Sequence, residues 1–359
     1  MHDYSFWKKK KVFLTGHTGF KGSWMAIWLS QLGAEVKGYA LNPPTTVNLF
    51  NEAKVGGLID SEINDIRDYD KLSRSINDFS PDLVIHMAAQ PLVRASYKNP
   101  LETFETNVMG TANILEASIQ SSTVKAIVNI TTDKCYENRE IDIAYKETDS
   151  MGGFDPYSSS KGCAELVTSA YRESFYKNKN IGIASVRAGN VIGGGDWAKD
   201  RLIPDLIHSF MTKQPLEIRY PKAVRPWQYV LEPLSGYILL ARKLMQDPQT
   251  FQSAWNFGPN EKGAKEVLWI VKKMALLWGE DANWTINQNQ NPHEAKNLKL
   301  DITKAKEILG WHPIVELNYA LESIVRFHRA HQASENIKKY CLDQIEEFER
   351  ISDTKIDIG

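Results

Sequence analysis

A glycine-rich segment near the start of the chain constrains the fold more than any other stretch. Residues 16–22 (GHTGFKG) follow a short apolar run at 11–15 and precede apolar residues at helical spacing from Trp24 to Leu32. Glycines at the first, fourth and seventh places permit a tight turn, close approach of the backbone to a pyrophosphate and close packing of helix on strand. The N-terminus of the helix also favours an anion. The segment therefore predicts a dinucleotide site.

The glycine spacing is GxxGxxG and not GxGxxG, so the flanking strand and helix carry the prediction. The alternative for such a segment is a glycine-rich turn without a ligand. The cofactor-binding residues predicted here are Gly16, His17, Thr18, Gly19, Phe20, Lys21 and Gly22.

Apolar runs alternate with helical patterns over the first half of the chain. The predicted strands are residues 11–15, 35–40, 58–63, 83–87, 124–131 and 181–186, with predicted helices that include residues 68–79 and 101–120. Such alternation predicts an α/β fold with a doubly wound parallel sheet of Rossmann type. We expect residues 1–187 to form a dinucleotide-binding domain, to which the chain returns around residues 228–258. Residues 188–359 are expected to form a smaller, mixed α/β substrate domain interleaved with it.

Ligands of a doubly wound sheet bind beyond the carboxyl ends of its strands. The third predicted strand is followed by Asp65-Ile66, where an aspartate can accept from an adenine amino group, and the fourth by Ala88-Ala89, which let a cofactor lie against the backbone. The second strand runs into residues 41–44, which offer neither a carboxylate for the ribose of NAD nor an arginine for the 2′-phosphate of NADP. This strand end leaves NAD versus NADP open.

Tyr157 and Lys161 follow Asp155-Pro156, a dipeptide that favours the start of a helix. Residues four apart share one helix face. A phenol with a pKa of about 10 is a poor base at neutral pH, but a nearby cation or a nicotinamide ring lowers that pKa. The pair therefore predicts a catalytic base, and its alternative is a solvated helix face. Thr106, Thr131, Tyr157 and Lys161 complete the predicted cofactor site.

Composition excludes several other classes of protein. The 359 residues carry a formal net charge of −1, which gives no electrostatic footprint for nucleic acid. No apolar run approaches the roughly 18 residues of a membrane span. The three cysteines lack paired or metal-type spacing, so we expect a reducing, cytoplasmic setting and no metal site.

Three stretches of the chain resemble the extended short-chain dehydrogenase/reductase superfamily, and within it the sugar-nucleotide 4,6-dehydratases. They are residues 16–24 (GHTGFKGSW), 132–136 (TDKCY) and 187–197 (RAGNVIGGGDW). Together they resemble the CDP-glucose 4,6-dehydratases, which make 4-keto-6-deoxy sugar nucleotides for cell-surface dideoxysugars. Thr132-Asp133 is the discriminating feature, because epimerases of this superfamily usually lack an acid at that place. The resemblance implies NAD as the cofactor and CDP-glucose as the substrate.

The same resemblance assigns roles to individual residues. Tyr157 would take the proton from the C4 hydroxyl of the hexose, which Thr132 holds, and Asp133 would protonate the hydroxyl that leaves C6. The base at C5 stays open, because Lys134 stands where dehydratases of the thymidine-linked sugar carry glutamate. Lys134 would act as that base in its neutral form, or it only orients Asp133. The implied catalytic residues are Thr132, Asp133, Lys134, Tyr157 and Lys161, and the implied substrate-binding residues are Gln90, Asn190, Arg201, Leu202, Arg225 and His293.

Two other functions use part of the same pattern. A sugar-nucleotide 4-epimerase would need Tyr157, Lys161 and the cofactor but would have no use for Asp133. A non-catalytic dinucleotide sensor would typically have lost the tyrosine. Helices at residues 101–120 and 157–177 commonly form a dimer interface in this superfamily, so we expect a homo-oligomer, either a dimer or a tetramer.

Overall fold

The computed structural model describes residues 4–139, 141, 143–177, 179–260, 263–279, 282–286 and 298–356. The strands are β1 (Lys11–Thr15), β2 (Glu35–Ala40), β3 (Asp60–Ile63), β4 (Leu83–His86), β5 (Ala126–Ile130), β6 (Ala144–Tyr145), β7 (Gly182–Ala188), β8 (Val191–Ile192), β9 (Leu216–Ile218), β10 (Val224–Pro226), β11 (Gln228–Tyr229), β12 (Ala254–Phe257), β13 (Ala264–Glu266), β14 (Trp284–Ile286) and β15 (Lys299–Leu300).

The α-helices are α1 (Tyr4–Trp7), α2 (Phe20–Gln31), α3 (Leu49–Glu52), α4 (Tyr69–Phe79), α5 (Val93–Lys98), α6 (Pro100–Phe104), α7 (Gly110–Gln120), α8 (Pro156–Tyr171), α9 (Leu202–Thr212), α10 (Leu231–Gln246), α11 (Pro248–Phe251), α12 (Val267–Trp278), α13 (Leu317–Gln332) and α14 (Ile337–Ile356). Short 3-10 turns at Val55–Gly57 and Asp133–Cys135 and π-helical turns at Glu105–Met109, Arg172–Tyr176 and Ala305–Leu309 supplement them. Among the described residues, no helix has both the length and the apolar character to cross a bilayer.

A seven-stranded sheet organises the molecule. Its order is β12-β7-β5-β4-β1-β2-β3 and every neighbouring pair is parallel. The chain winds outward from β1 in one direction and resumes at β4 in the other. This topology confirms the predicted doubly wound α/β fold, and it places a switch point between β1 and β4.

The central strands are buried on both faces, which explains their nearly continuous apolar sequences. Alternate residues of β1 enter different cores: Val12 and Leu14 pack in the larger one, with Trp24 and Ile27 of α2. Phe13 packs in the second core, together with residues of α4 and α7. Because helices cover both faces, the carboxyl edge of the sheet is the place left for a ligand.

The predicted helix at residues 101–120 is divided in the structure into α6, the π-helical turn and α7. Asn107 lies in that turn, where its Oδ1 accepts from the Gln90 backbone N–H at 2.8 Å and its Nδ2 donates to the Gln90 carbonyl at 3.1 Å. The same Nδ2 donates to Ser160 Oγ at 2.8 Å. A side chain that bonds to two other segments fixes the irregular turn, a tertiary constraint that local helix pattern does not contain.

Parts of the chain after residue 187 return to the sheet. β12 pairs with β7 and forms one edge of the sheet. The C-terminal helix α14 packs against α2, where Trp28 Nε1 donates to Glu349 Oε1 at 2.8 Å and the Trp28 and Phe348 rings meet edge to face. Shorter ladders pair β8 with β11, β9 with β14, β10 with β13, and β6 with β15.

The indole bond from Trp28 gives a first prediction. Trp28→Phe removes a donor to a buried carboxylate, whereas Trp311→Phe removes a donor to the neutral Ser235 hydroxyl at 3.0 Å. Both replacements delete similar volume from fully buried positions. Because bonds to charged groups contribute more, we expect Trp28→Phe to lower the free energy of unfolding in urea by about 1 kcal/mol more than Trp311→Phe. Equal losses would contradict the role given to this bond.

Candidate active site

A cleft of about 2020 Å³ opens at the carboxyl ends of the central strands. It lies at the switch point between β1 and β4 and extends under the segments that follow β7. The residues assigned from sequence that line it are Gly16, Thr18, Gly19, Phe20, Lys21, Gly22, Asp65, Ile66, Ala88, Ala89, Thr106, Thr131, Thr132, Asp133, Lys134, Tyr157, Lys161, Asn190, Arg201, Leu202 and Arg225.

The glycine segment forms a turn in which side chains have no room. Gly16 has a φ of +76°, and a Cβ there would lie 2.7 Å from the backbone nitrogen of Ala88. A Cβ on Gly22 would overlap the carbonyl oxygen of Gly16. Gly19, the N-cap of α2, has no side chain that could occupy the amide groups of the first turn. The turn thus keeps a helix N-terminus open to an anion, the form of cradle that a pyrophosphate fits.

His17, one of the residues predicted to bind the cofactor, does not line the cleft. Its ring is buried beneath the turn, where Nε2 lies 2.8 Å from Ser61 Oγ and the ring packs on Gly38 of β2. Burial lowers the pKa of this histidine to about 4, so the ring is neutral. Gly38 is the sequence signal for this buried position that was missed. Any side chain at Gly38 would overlap the imidazole of His17.

Two elements bring the catalytic candidates together. Thr132, Asp133 and Lys134 follow β5, and the Thr132 hydroxyl donates to Asp133 Oδ1 at 3.0 Å. Tyr157 and Lys161 lie on α8, whose N-cap Asp155 accepts from the Ser158 backbone. Lys161 Nζ donates to the Ile130 carbonyl at 3.1 Å, which joins the helix to the end of β5.

Burial dominates the electrostatics of the tyrosine and lysine pair. It raises the pKa of Tyr157 to about 12, although a hydrogen bond with Thr132 and the charge of Arg201 act in the opposite direction. Burial also lowers the pKa of Lys161 to about 8. The sequence-based expectation considered the cation beside the phenol and left out this desolvation, which is the larger effect here.

Asp133 is buried against Gly189 of the segment after β7. A Cβ on Gly189 would overlap the Asp133 carboxylate. Oδ2 has no hydrogen-bond partner among the described residues, while Oδ1 accepts from Thr132. The glycine in the RAGN stretch therefore makes the space that this carboxylate occupies.

Lys21 adds another basic side chain to the charged residues of the cleft. Its ammonium lies 5.3 Å from the centre of the Tyr237 ring and 3.4 Å from the Tyr237 hydroxyl. Burial, together with the charges of Lys161 and Arg201, lowers the pKa of Lys21 to about 7, against the opposing effect of Asp133. The sequence assigned Lys21 to the cofactor alone, whereas its charge is felt by the catalytic residues as well.

The residues assigned to the substrate lie in different settings. Arg201 pairs with Asp196 at 2.9 Å, and Asn190 holds a left-handed φ of 44° at the cleft wall. Gln90 does not line the cleft, because its side chain bonds to Leu92 and Thr103. His293 lies outside the described residues.

Sequence reasoning missed a charged group in the lining of the cleft. Arg94 and Arg219 both approach Asp200 Oδ1, at 3.1 and 3.7 Å. All three residues line the cleft. They belong to no motif and come from separated segments, so only the tertiary structure reveals the group.

The sequence model of the GDP-mannose 4,6 dehydratase family matches residues 13–324. The chain belongs to this dehydratase family. The match confirms the membership among sugar-nucleotide 4,6-dehydratases that the motifs indicated. Within the dehydratase group, the CDP-glucose 4,6-dehydratase of Salmonella typhimurium is 56% identical over 335 residues, which cover 92% of this chain and 93% of that protein. The UDP-glucose 4-epimerase of Mycoplasma pneumoniae is 25% identical and covers 89% of this chain and 97% of its own length.

Solved structures show how widely the dehydratase fold is shared. A UDP-glucose 4-epimerase of Thermotoga maritima, solved with UDP-glucose, has a TM-score of 0.76 at 22% identity and covers 90% of this chain and 99% of its own. A UDP-glucuronic acid 4-epimerase of Bacillus cereus, solved with UDP-glucuronic acid and NAD, has a TM-score of 0.77 at 23% identity and covers 89% and 99%. At these identities the likeness confirms the fold.

The glycine turn of this dehydratase gives a second prediction. Because a Cβ on Gly22 would overlap the Gly16 carbonyl, Gly22→Ala forces the turn apart, and we expect a loss of about 1–3 kcal/mol in the free energy of unfolding. Gly57→Ala is the matched control, since a Cβ there meets nothing within 4 Å. Chemical unfolding followed by circular dichroism measures both. A Gly22→Ala protein as stable as the control would contradict the close packing.

Proposed function

We propose that the protein is a CDP-glucose 4,6-dehydratase, which converts CDP-glucose to CDP-4-keto-6-deoxyglucose and water. The observation that carries the proposal is the presence of Asp133 beside Thr132, Tyr157 and Lys161 in one cleft. An acid at this place serves the loss of a hydroxyl and has no use in 4-epimerisation. The 56% identity to the Salmonella typhimurium enzyme supports cytidine as the base of the substrate.

We propose NAD as the cofactor. Its pyrophosphate would lie on the glycine turn and the open N-terminus of α2, and Lys161 and Thr106 would line the remainder of its site. Bound NAD supplies the acceptor for the hydride of C4 and the donor for its return to C6. The Bacillus cereus structure with NAD supports this choice.

Tyr157 acts on the C4 hydroxyl of the hexose. Its phenolate takes the hydroxyl proton, and Thr132 Oγ1 holds the same hydroxyl in place. Arg201 and the hydrogen bond with Thr132 stabilise the phenolate against the effect of burial. The ketone formed at C4 acidifies the proton at C5, which prepares the loss of water.

Asp133 and Lys134 act at C6 and C5 of the hexose. Asp133 lines the cleft and protonates the hydroxyl that leaves C6; Thr132 donates to its Oδ1, and no described residue hydrogen-bonds to its Oδ2. Lys134 lines the same cleft and removes the proton from C5 in its neutral form. Its other possible role is to orient Asp133, and the two roles differ in their effect on proton exchange.

Arginines suit the nucleotide diphosphate, because guanidinium groups form paired bonds to phosphate oxygens. Arg201, Arg219 and Arg225 all line the cleft. Asn190 and Leu202 line the same cleft. We therefore propose that these residues, with His293, bind CDP-glucose.

We also propose that the protein forms a homo-oligomer through neighbouring helices. Leu101 and Met109 on α6 and the π-helical turn, and Leu166 and Phe175 on α8 and the turn after it, are all more than half exposed. Apolar side chains concentrated on packed helices favour burial against another copy.

The product of the reaction gives a third prediction. Incubation with CDP-glucose yields a product lighter by one water in mass spectrometry, whereas an isomer of unchanged mass would support a 4-epimerase.

Tyr157→Phe removes the base, so we expect turnover to fall by at least about 100-fold while NAD stays bound. Tyr171→Phe on the same helix is the control, because its hydroxyl bonds to Glu116 away from the cleft. Normal turnover by Tyr157→Phe would refute the role of the phenol.

Proton exchange at C5 gives a fourth prediction. In heavy water the native enzyme places solvent deuterium at C5, because the removed proton mixes with solvent before C5 is protonated again. Lys134→Met cannot carry that proton, so we expect no deuterium at C5, measured by proton NMR of the sugar. Unchanged exchange in Lys134→Met would move the base to another group and leave Lys134 as an orienting residue.

A further inference from the structure

A buried carboxylate lies one helical turn beyond Lys161 on α8. Glu165 is only 4% exposed and does not line the cleft. Its Oε1 accepts from Thr131 Oγ1 at 2.5 Å, and its Oε2 accepts from Ser185 Oγ at 2.6 Å and from Arg187 Nη2 at 2.8 Å. A buried ion pair with additional hydrogen bonds is a costly arrangement that needs a reason.

The hydrogen bonds continue from Arg187 to Tyr136, which lies at the far end of residues 131–136. We call this segment, which carries Thr132, Asp133 and Lys134, the catalytic turn. Arg187 Nη1 donates to Tyr136 Oη at 2.7 Å, and that hydroxyl donates to Asn256 Oδ1 at 2.7 Å. Thr131 and Tyr136 bracket Thr132, Asp133 and Lys134 in the sequence. The network therefore fixes both ends of the segment that carries the acid and the proposed base.

We propose that Glu165 is a positioning residue of the reaction: it places a carboxylate one helical turn from Lys161 and ties the catalytic turn to α8 through Thr131 and Arg187. The inference rests on the proposed function for its catalytic meaning. The effect of Glu165 on the charge of Lys161 does not depend on the proposed function. Glu165 touches neither the cleft nor the reacting atoms and acts through Lys161 and Thr131.

Four titratable groups on different elements act on Lys161 or respond to it. Glu165 and Cys135 raise the pKa of Lys161 against burial, and Lys161 in turn lowers the pKa of Lys21 on α2 and of His86 on β4. Burial raises the pKa of the Cys135 thiol well above its usual value, and it lowers the pKa of His86 to about 3, so both are neutral near pH 7. Glu165 stays ionised because Arg187, Ser185 and Thr131 outweigh burial and lower its pKa.

Of these groups, Glu165 is the one whose negative charge favours the ammonium form of Lys161. With Glu165 present, the pKa of Lys161 is about 8, so the ammonium form prevails at neutral pH. Without that charge the pKa falls, and a larger fraction of Lys161 is neutral at the same pH. A neutral Lys161 no longer favours the Tyr157 phenolate.

The experiment measures the titration of Lys161 directly. The purified full-length protein is treated with a small amount of acetic anhydride at a series of pH values, and acetylation of the Lys161 peptide is quantified by mass spectrometry. Only the neutral amine reacts, so the midpoint reports the pKa. We expect Glu165→Gln to move the midpoint to lower pH by at least about one unit. An unchanged midpoint in folded Glu165→Gln would overturn the proposal.

Ser185→Ala is the matched control, because it removes one hydrogen bond to Glu165 and leaves the charge. Its midpoint is expected to stay at the native value, and a shift as large as that of Glu165→Gln would show that packing and not charge is responsible. Should Glu165→Gln fail to fold with Arg187 unpaired, Glu165→Gln/Arg187→Met removes both charges and is tested in the same way. An unchanged midpoint in that variant also overturns the proposal.

Turnover separates this proposal from the proposed function. The ammonium form of Lys161 is lost as pH rises through its pKa, so the alkaline limb of the rate profile should move to lower pH in Glu165→Gln, together with the labelling midpoint. A native protein that does not act on CDP-glucose would refute the proposed function while the labelling result stands. A labelling shift without a shift of the limb would refute the catalytic part of the proposal.

Discussion

The contact of Gly16 with Gly22 and Ala88 sets the geometry on which the cleft depends. It fixes how closely α2 approaches the end of β1, and how closely the turn approaches the end of β4. Thr15 strengthens the same junction, since its hydroxyl accepts from the Met87 and Ala88 backbones at 3.0 and 3.1 Å. Because β1 and β4 border the switch point, a side chain inserted here would displace the floor of the site as well as the cofactor cradle.

Above this floor, the site groups several charged side chains, of which Asp133 and Lys161 are buried. Lys21 interacts with the charges of Lys161, Arg201 and Asp133, and burial lowers the pKa values of the two lysines to about 7 and 8. Their charge states are thus sensitive to single neighbours near neutral pH. The proposed reaction requires a phenolate at Tyr157 and proton delivery by Asp133 in one cleft, so each neighbouring charge has to be placed individually.

The sequence predicted the features that depend on local pattern. The alternation of strands and helices, the glycine turn and the Tyr157 helix all follow from short-range periodicity and capping. Three features do not follow from local pattern, because each involves a contact outside the local segment. They are the burial of the His17 ring against Ser61, the bond of the Gln90 side chain to Thr103, and the group of Arg94, Asp200 and Arg219. The raised pKa of Tyr157 was not predicted for a similar reason, since burial is a property of the assembled cleft.

The division between dehydration and epimerisation can be placed on one pair of residues. The epimerase structures share the fold of this dehydratase, so the fold cannot select the reaction. Asp133 requires a wall that leaves room for its carboxylate, and Gly189 provides it, because any side chain there would occupy the same space. The acid and the glycine come from different strand ends, after β5 and after β7. If Asp133 is the acid, as proposed, specificity for loss of water depends on the packing of these two segments as much as on the acid itself.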